Sequence, residues 1–104
     1  MDRSQQINLI SESRTQDDYG VWRVSETSRT VFCQVNSVTR SEFFDAGRNG
    51  LNPEYMFTMF SPDYEGERTV EYNGLRYTVY RTYHARTDEI ELYVQREGGS
   101  NGSN

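Results

Sequence analysis

The chain has 104 residues, enough for one domain with a single modest core. Only 34% of it is apolar, so its eight Tyr, five Phe and one Trp must supply much of the buried area. The net charge is −5, from 16 acidic residues against 11 arginines and no lysine. That balance excludes the basic excess of a duplex-binding surface and suits fixed arginine–carboxylate pairs.

The first ten residues carry Asp2, Arg3, Gln5 and Gln6 and no long apolar run, which excludes an ordinary secretory signal. No segment approaches the roughly 18 apolar residues of a membrane span. The expectation is a soluble protein, cytoplasmic where it is made, with no membrane partner. Period-two patterning then dominates. Residues 6–10 place Ile7 and Leu9 on one face of a strand. Asp17, Asp18 and Gly20 are turn formers before a short strand over 21–24. Residues 30–38 form a further strand, with Val31, Cys33 and Val35 alternating against Thr30, Gln34 and Asn36. Cys33 reads as a small buried hydrophobe. A lone cysteine allows no disulfide within the chain and no cysteine zinc cluster.

Thr39 followed by Glu42 is a capping-box pattern, and Gly47 suits a stop. It predicts either a docked helix of about seven residues, too short to be stable alone, or a loop. The stretch 40–53 is the longest without strand character, and stretches of that length are usually functional or mobile. Residues 55–60 are apolar on both faces: Tyr55, Phe57 and Met59 point one way, Met56 and Phe60 the other. Such a strand is covered on both faces. The second cover is either another subunit or the closure of a barrel around a central strand.

Asn73-Gly74 between alternating segments is the strongest short-range hairpin signal, because both residues accept positive φ in a type I′ turn. The two-residue loop sets the register. Tyr72 faces Leu75, Val70 faces Tyr77 and Arg68 faces Val79, while Glu71 meets Arg76 and Thr69 meets Thr78 on the other face. The second strand runs to about Tyr83, turns through 84–88 and returns over 89–96. There Ile90, Leu92 and Val94 share a face, completing a three-stranded meander. Residues 98–104, all Gly, Ser or Asn, read as a flexible tail after a single domain of residues 1–97.

Catalytic chemistry finds no constellation. His84 sits alone in a polar turn. Cys33 has no histidine near it to activate a thiol. The carboxylate pairs Asp17-Asp18, Asp63/Glu65 and Asp88-Glu89 lack calcium-loop spacing, and Gly47 and Gly50 lack the Lys and following helix of a phosphate loop. The expectation is a protein that is not an enzyme and uses no cofactor or metal. Tyr80, Tyr83 and Tyr93 interleaved with Arg76, Arg81 and Arg86 would fit a stacking platform for single-stranded nucleic acid. The acidic balance and Glu71, Glu89 and Glu91 argue against it.

The order of pieces resembles the head-closure (head–tail joining, or stopper) family of tailed bacteriophages. The matching residues are Gly20 and Trp22 before the second strand, Ser41-Glu42-Phe43-Phe44 with Ala46 in the long connection, Asn73-Gly74 with Tyr77 and Val79-Tyr80-Arg81, and Glu89-Ile90-Glu91-Leu92-Tyr93. They run from about Ile7 to Arg96. None is a catalytic signature; their order and spacing carry the match. The resemblance implies a small β-barrel docked as a ring under the portal and its adaptor in the virion neck. There it closes the DNA channel after packaging and presents a surface to the tail. The connection matching the family's channel-closing loop is 40–52. DNA would pass without sequence-specific binding.

These readings predict an all-β barrel of five to seven antiparallel strands that forms a homo-oligomeric ring in the virion; a monomer in isolation is compatible with this, because such rings can need a template. A ring needs two different complementary patches. The expected contact and channel-loop residues are Arg40, Glu42, Phe43, Phe44, Arg48, Asn49, Met56, Phe60, Tyr80 and Tyr93. The alternative for each aromatic is ordinary core packing. The rival functions are another ring-forming tail connector and a small nucleic-acid-binding barrel.

Overall fold

The computed structural model describes residues 4–97. The tail expected over 98–104 and the opening residues 1–3 lie outside the described residues. The strands are β1 (Gln5–Gln16), β2 (Trp22–Asn36), β3 (Pro53–Phe60), β4 (Thr69–Tyr72), β5 (Leu75–Arg86) and β6 (Glu89–Arg96). One helix, α1 (Arg40–Gly47), joins β2 to β3. The fold is mainly β, as the alternation predicts. All neighbouring strands are antiparallel, in the order β1-β2-β3-β6-β5-β4, and β4 closes the ring on β1.

The predicted inward rows meet in one core. Ile7 and Leu9 of β1, Val31 and Cys33 of β2, Phe57 and Met59 of β3, Val70 of β4, Tyr77 and Val79 of β5, and Ile90, Leu92 and Val94 of β6 are all buried. Aromatic rings fill one part of it. Tyr55 and Phe57 each lie 5.5 Å from Tyr72, and Tyr55 lies 5.6 Å from Tyr77, all three pairs edge-to-face. Pairs of that geometry add about 0.5–1.5 kcal/mol each beyond the area they bury. This is how a chain poor in Leu and Ile assembles a core.

The Asn73-Gly74 hairpin has the predicted register at all four pairs of β4 and β5. Asn73 and Gly74 take φ of 53° and 79°, the left-handed conformation that a type I′ turn demands. The Val79 N–H donates to the Arg68 carbonyl, extending the same register.

Two expectations are corrected. The strands expected over 21–24 and 30–38 are one strand, β2, continuous through residues 25–29. β5 does not turn at His84 but runs on to Arg86, with register shifts that carry its extra residues. His84 is therefore an exposed strand residue opposite Ile90.

The continuity of β2 produces an arm. β1 and β2 stay paired from Gln5/Cys33 out to Gln16/Trp22. Residues 11–16 and 22–28 are exposed on both faces. The arm extends about six residues beyond the barrel, or about 20 Å at the rise of a strand. It makes the molecule elongated, 50 × 34 × 23 Å, with a radius of gyration of 15.2 Å against about 13 Å for a compact chain of this size.

Candidate functional site

Helix α1 forms where the capping pattern places it. The Thr39 hydroxyl accepts from the Glu42 N–H at 3.1 Å. The other half of a capping box, in which the Glu carboxylate returns to the cap residue's N–H, is not what Glu42 does. Its carboxylate reaches across the barrel wall instead. Tyr80 Oη donates to Glu42 Oε2 at 2.7 Å, and Arg81 Nη2 to Oε1 at 2.6 Å. The Arg81 guanidinium also lies 4.0 Å over the Tyr93 ring, and Tyr80 and Tyr93 sit 6.4 Å apart. Tyr93 Oη donates in turn to Glu91 at 2.7 Å.

The cluster is a latch holding the helix on β5 and β6. Burial works to raise the Glu42 carboxyl, but the hydrogen bonds from Arg81 and Tyr80 outweigh it and hold it below the usual range. The Tyr80 phenol is pushed well above its ordinary value by burial and by its bond to Glu42. The Tyr93 phenol, buried and bonded to Glu91, is pushed up to about 12. Each group is fixed in one protonation state near neutral pH, which suits holding rather than proton transfer. Beside the latch lies an open pocket of about 390 Å³, lined by Glu42, Asp45, Ala46, Asn49, Leu51, Tyr80 and Arg81.

Of the expected contact residues, the structure brings Glu42, Tyr80 and Tyr93 together. Arg40 and Arg48 are exposed at the two ends of α1, and Arg48 pairs with Asp45. The Asn49 amide donates to the Asp45 carbonyl at 3.2 Å. Phe43 and Phe44 touch each other edge-on at 5.9 Å and are exposed, Phe44 by 59%. Met56 is half-buried, accepting from the Thr58 hydroxyl at its sulfur, while Phe60 at the end of β3 is exposed. Thr58, in the same outward row, is only 3% exposed. Helix α1 packs against β3, so the chain itself supplies part of the second cover that this strand needs.

Two further features escaped the sequence reading. Arg81 is the hub of the latch, and nothing local links it to Glu42 thirty-nine positions away. The end of the arm exposes Tyr19, Val21, Trp22 and Val24, with Tyr19 91% and Trp22 64% exposed. Their alternation was legible, but the two-sided exposure follows only from the arm leaving the barrel.

At the barrel mouth near the root of the arm, Glu67 is buried and accepts from Arg29 at 2.6 Å and from the Glu65 N–H at 2.9 Å. Arg29 also donates to the Asp63 carbonyl. Among the described residues no three His, Cys, Asp or Glu side chains converge as a metal site. Cys33 is fully buried, and burial pushes its thiol up to about 12. Neither family models nor curated proteins give a match to the chain.

Proposed function

We propose that this chain is a structural subunit of the neck of a tailed-phage virion. In this reading copies assemble as a ring below the portal and adaptor, close the DNA channel after packaging and join head to tail. The observation that carries the reading is the placement of Phe43 and Phe44. They sit on a helix pinned to the barrel by the Glu42 latch, yet both rings face solvent. A latch that fixes a helix while leaving its two largest apolar side chains uncovered is costly for a monomer and suits a surface awaiting a neighbour. The stretch after it, residues 48–52, is hydrogen-bonded along its length: Arg48 N–H donates to Phe44 O, Asn49 N–H to Ala46 O and Gly50 N–H to Gly47 O. Leu51 N–H donates to Ala46 O, and Asn52 N–H to the Gln95 side chain. In the proposed ring the connection over 40–52 is the part that closes the channel.

The test uses particles assembled with and without the chain. The expected result is a ring at the neck when it is present. Without it, DNA-filled heads should leak and fail to take tails. A Phe43→Ser/Phe44→Ser variant with an unchanged circular dichroism spectrum should be excluded from the neck. Normal tailed, infectious particles made without the chain would overturn the reading.

A further inference from the structure

The outer edge of the arm is a free strand edge. β4 covers β1 only at Asn8, Leu9 and Ile10, and residues 11–16 pair with β2 alone. A two-stranded ribbon without a covering layer is marginal in water. Natural edges are blunted by charged side chains, lysine above all, by proline or by bulges. This one has no lysine, proline or bulge, and its two charges are of opposite sign: Ser11-Glu12-Ser13-Arg14-Thr15 is extended, unbroken in register and exposed throughout.

Its charges are also unmet. Glu12 faces Glu26 across the hairpin, a like-charge pair. Glu26 is taken by Arg76. Among the described residues, neither Glu12 nor Arg14 has an ion-pair partner.

We infer that this edge pairs antiparallel with the same edge of a second copy, with Ser13 facing its own counterpart. In that register each Glu12 lies opposite the other copy's Arg14, giving two reciprocal ion pairs on one face. Ser11 lies opposite Thr15 on the other face. That face already carries hydroxyl contacts between Ser11 and Thr27 at 3.0 Å and between Ser13 and Ser25 at 2.9 Å. The pairing would extend them into a row of four serines across four strands. Shifting the register by two residues either way sets Ser13 against Ser11 or Thr15 but puts Glu12 opposite itself or Arg14 opposite itself. The charges therefore select one alignment. A two-fold contact closes at two copies and cannot run round a ring. The inference concerns the free chain and stands apart from the neck reading.

The experiment is sedimentation of the full chain across the micromolar to millimolar range, with charge-reversal variants. The expected result is a reversible dimer. Glu12→Arg or Arg14→Glu alone should lower its association constant by about tenfold or more. The double reversal, which restores opposite charges, should recover it. Both positions are exposed, so the fold is kept, as circular dichroism would check. Independently, Ser13→Cys should form a disulfide-linked dimer on mild oxidation. A self-facing pair in an antiparallel ladder falls within disulfide reach. Ser25→Cys, one strand further from the two-fold axis, should not. Buried Cys33 does not compete. A wild-type chain that stays monomeric at millimolar concentration would overturn the inference. So would a double reversal no better than the single ones, or equal cross-linking by Ser13→Cys and Ser25→Cys.

Discussion

Arg76 of β5 holds Glu26 of the arm through two parallel hydrogen bonds, Nη1 to Oε2 at 3.0 Å and Nη2 to Oε1 at 2.8 Å. By register Arg76 sits opposite Glu71, its expected partner. Glu71 instead accepts from the Asn8 amide at 3.1 Å. Arg76 thus ties the arm to the barrel wall, and the hydrogen bond from its fork holds the Glu26 carboxyl below the usual range.

Replacing that arginine should loosen the arm without weakening the barrel. Both partners are well exposed, and exposed pairs contribute little to global stability. Arg76→Ala is expected to leave the denaturant midpoint nearly unchanged. Amide exchange across residues 22–28 should quicken, as hydrogen–deuterium exchange would read. A large fall in midpoint with unaltered arm exchange would contradict this.

The Glu42 latch should matter more. Its carboxylate is mostly shielded and accepts two hydrogen bonds, one from a cation. Glu42→Ala leaves Tyr80 and Arg81 without that acceptor and should cost about 1–3 kcal/mol. Tyr80→Phe, which removes one bond and keeps the ring, should cost about 1 kcal/mol. Urea unfolding measures both. Exchange at residues 40–47 should rise in Glu42→Ala beyond what the global change explains, because α1 is too short to persist undocked.

Acid should weaken the fold through Glu67 and Glu42. Burial works to raise each carboxyl, and hydrogen bonds, from Arg29 to Glu67 and from Arg81 and Tyr80 to Glu42, bring the net value below the ordinary 4.5. A carboxyl depressed in the folded state binds protons more readily when unfolded. Its contribution is therefore complete above the unfolded value and is lost as pH falls below 4.5 through the folded value. The denaturant midpoint should hold from neutral pH down to about that point and then drop. Glu67→Gln should be less stable at neutral pH and show a shallower drop. An equally steep drop in the variant would place the acid sensitivity elsewhere.

The Asn73-Gly74 turn gives a test of backbone geometry alone. A methyl group at Gly74 would meet no atom within 4 Å, but φ is 79°. Gly74→Ala should cost about 1–2 kcal/mol, the left-handed penalty of an L-residue, read as a lower thermal midpoint with the same near-ultraviolet spectrum.

What could be read from the residues follows from how far each signal reaches. The β4–β5 register was legible because a two-residue turn specifies it locally. The core rows of β1, β5 and β6 were legible because one face of each is buried along the barrel. β2 was split in the reading because Ser25, Thr27, Ser28 and Arg29 offer no apolar alternation. They lie on or beside the arm, where neither face is covered, so the pattern that marks a half-buried strand is absent. α1 was legible from Thr39 and Glu42, but the capping motif pointed Glu42 the wrong way. Its partners, Tyr80 and Arg81, come from the far end of the chain, and only the pairing of β3 with β6 and of β6 with β5 brings them there. Phe43 and Phe44 are among the expected contact residues, whereas Trp22 enters only among the residues that carry the resemblance.

The ring of strands is joined at a narrow seam. β4 has four residues, and only Asn8, Leu9 and Ile10 pair with it to complete the circle. One side of that seam is the β1–β2 hairpin and the other is the meander of β4, β5 and β6, each built from neighbours in sequence. Assembly from local hairpins leaves this joint among the last to form, because the contacts bridging distant segments bear the loop-closure entropy. The same joint is where a closed barrel can unzip with the fewest broken ladder bonds. The newly made chain has its most vulnerable moment there, with Leu9 and Val70 briefly in water.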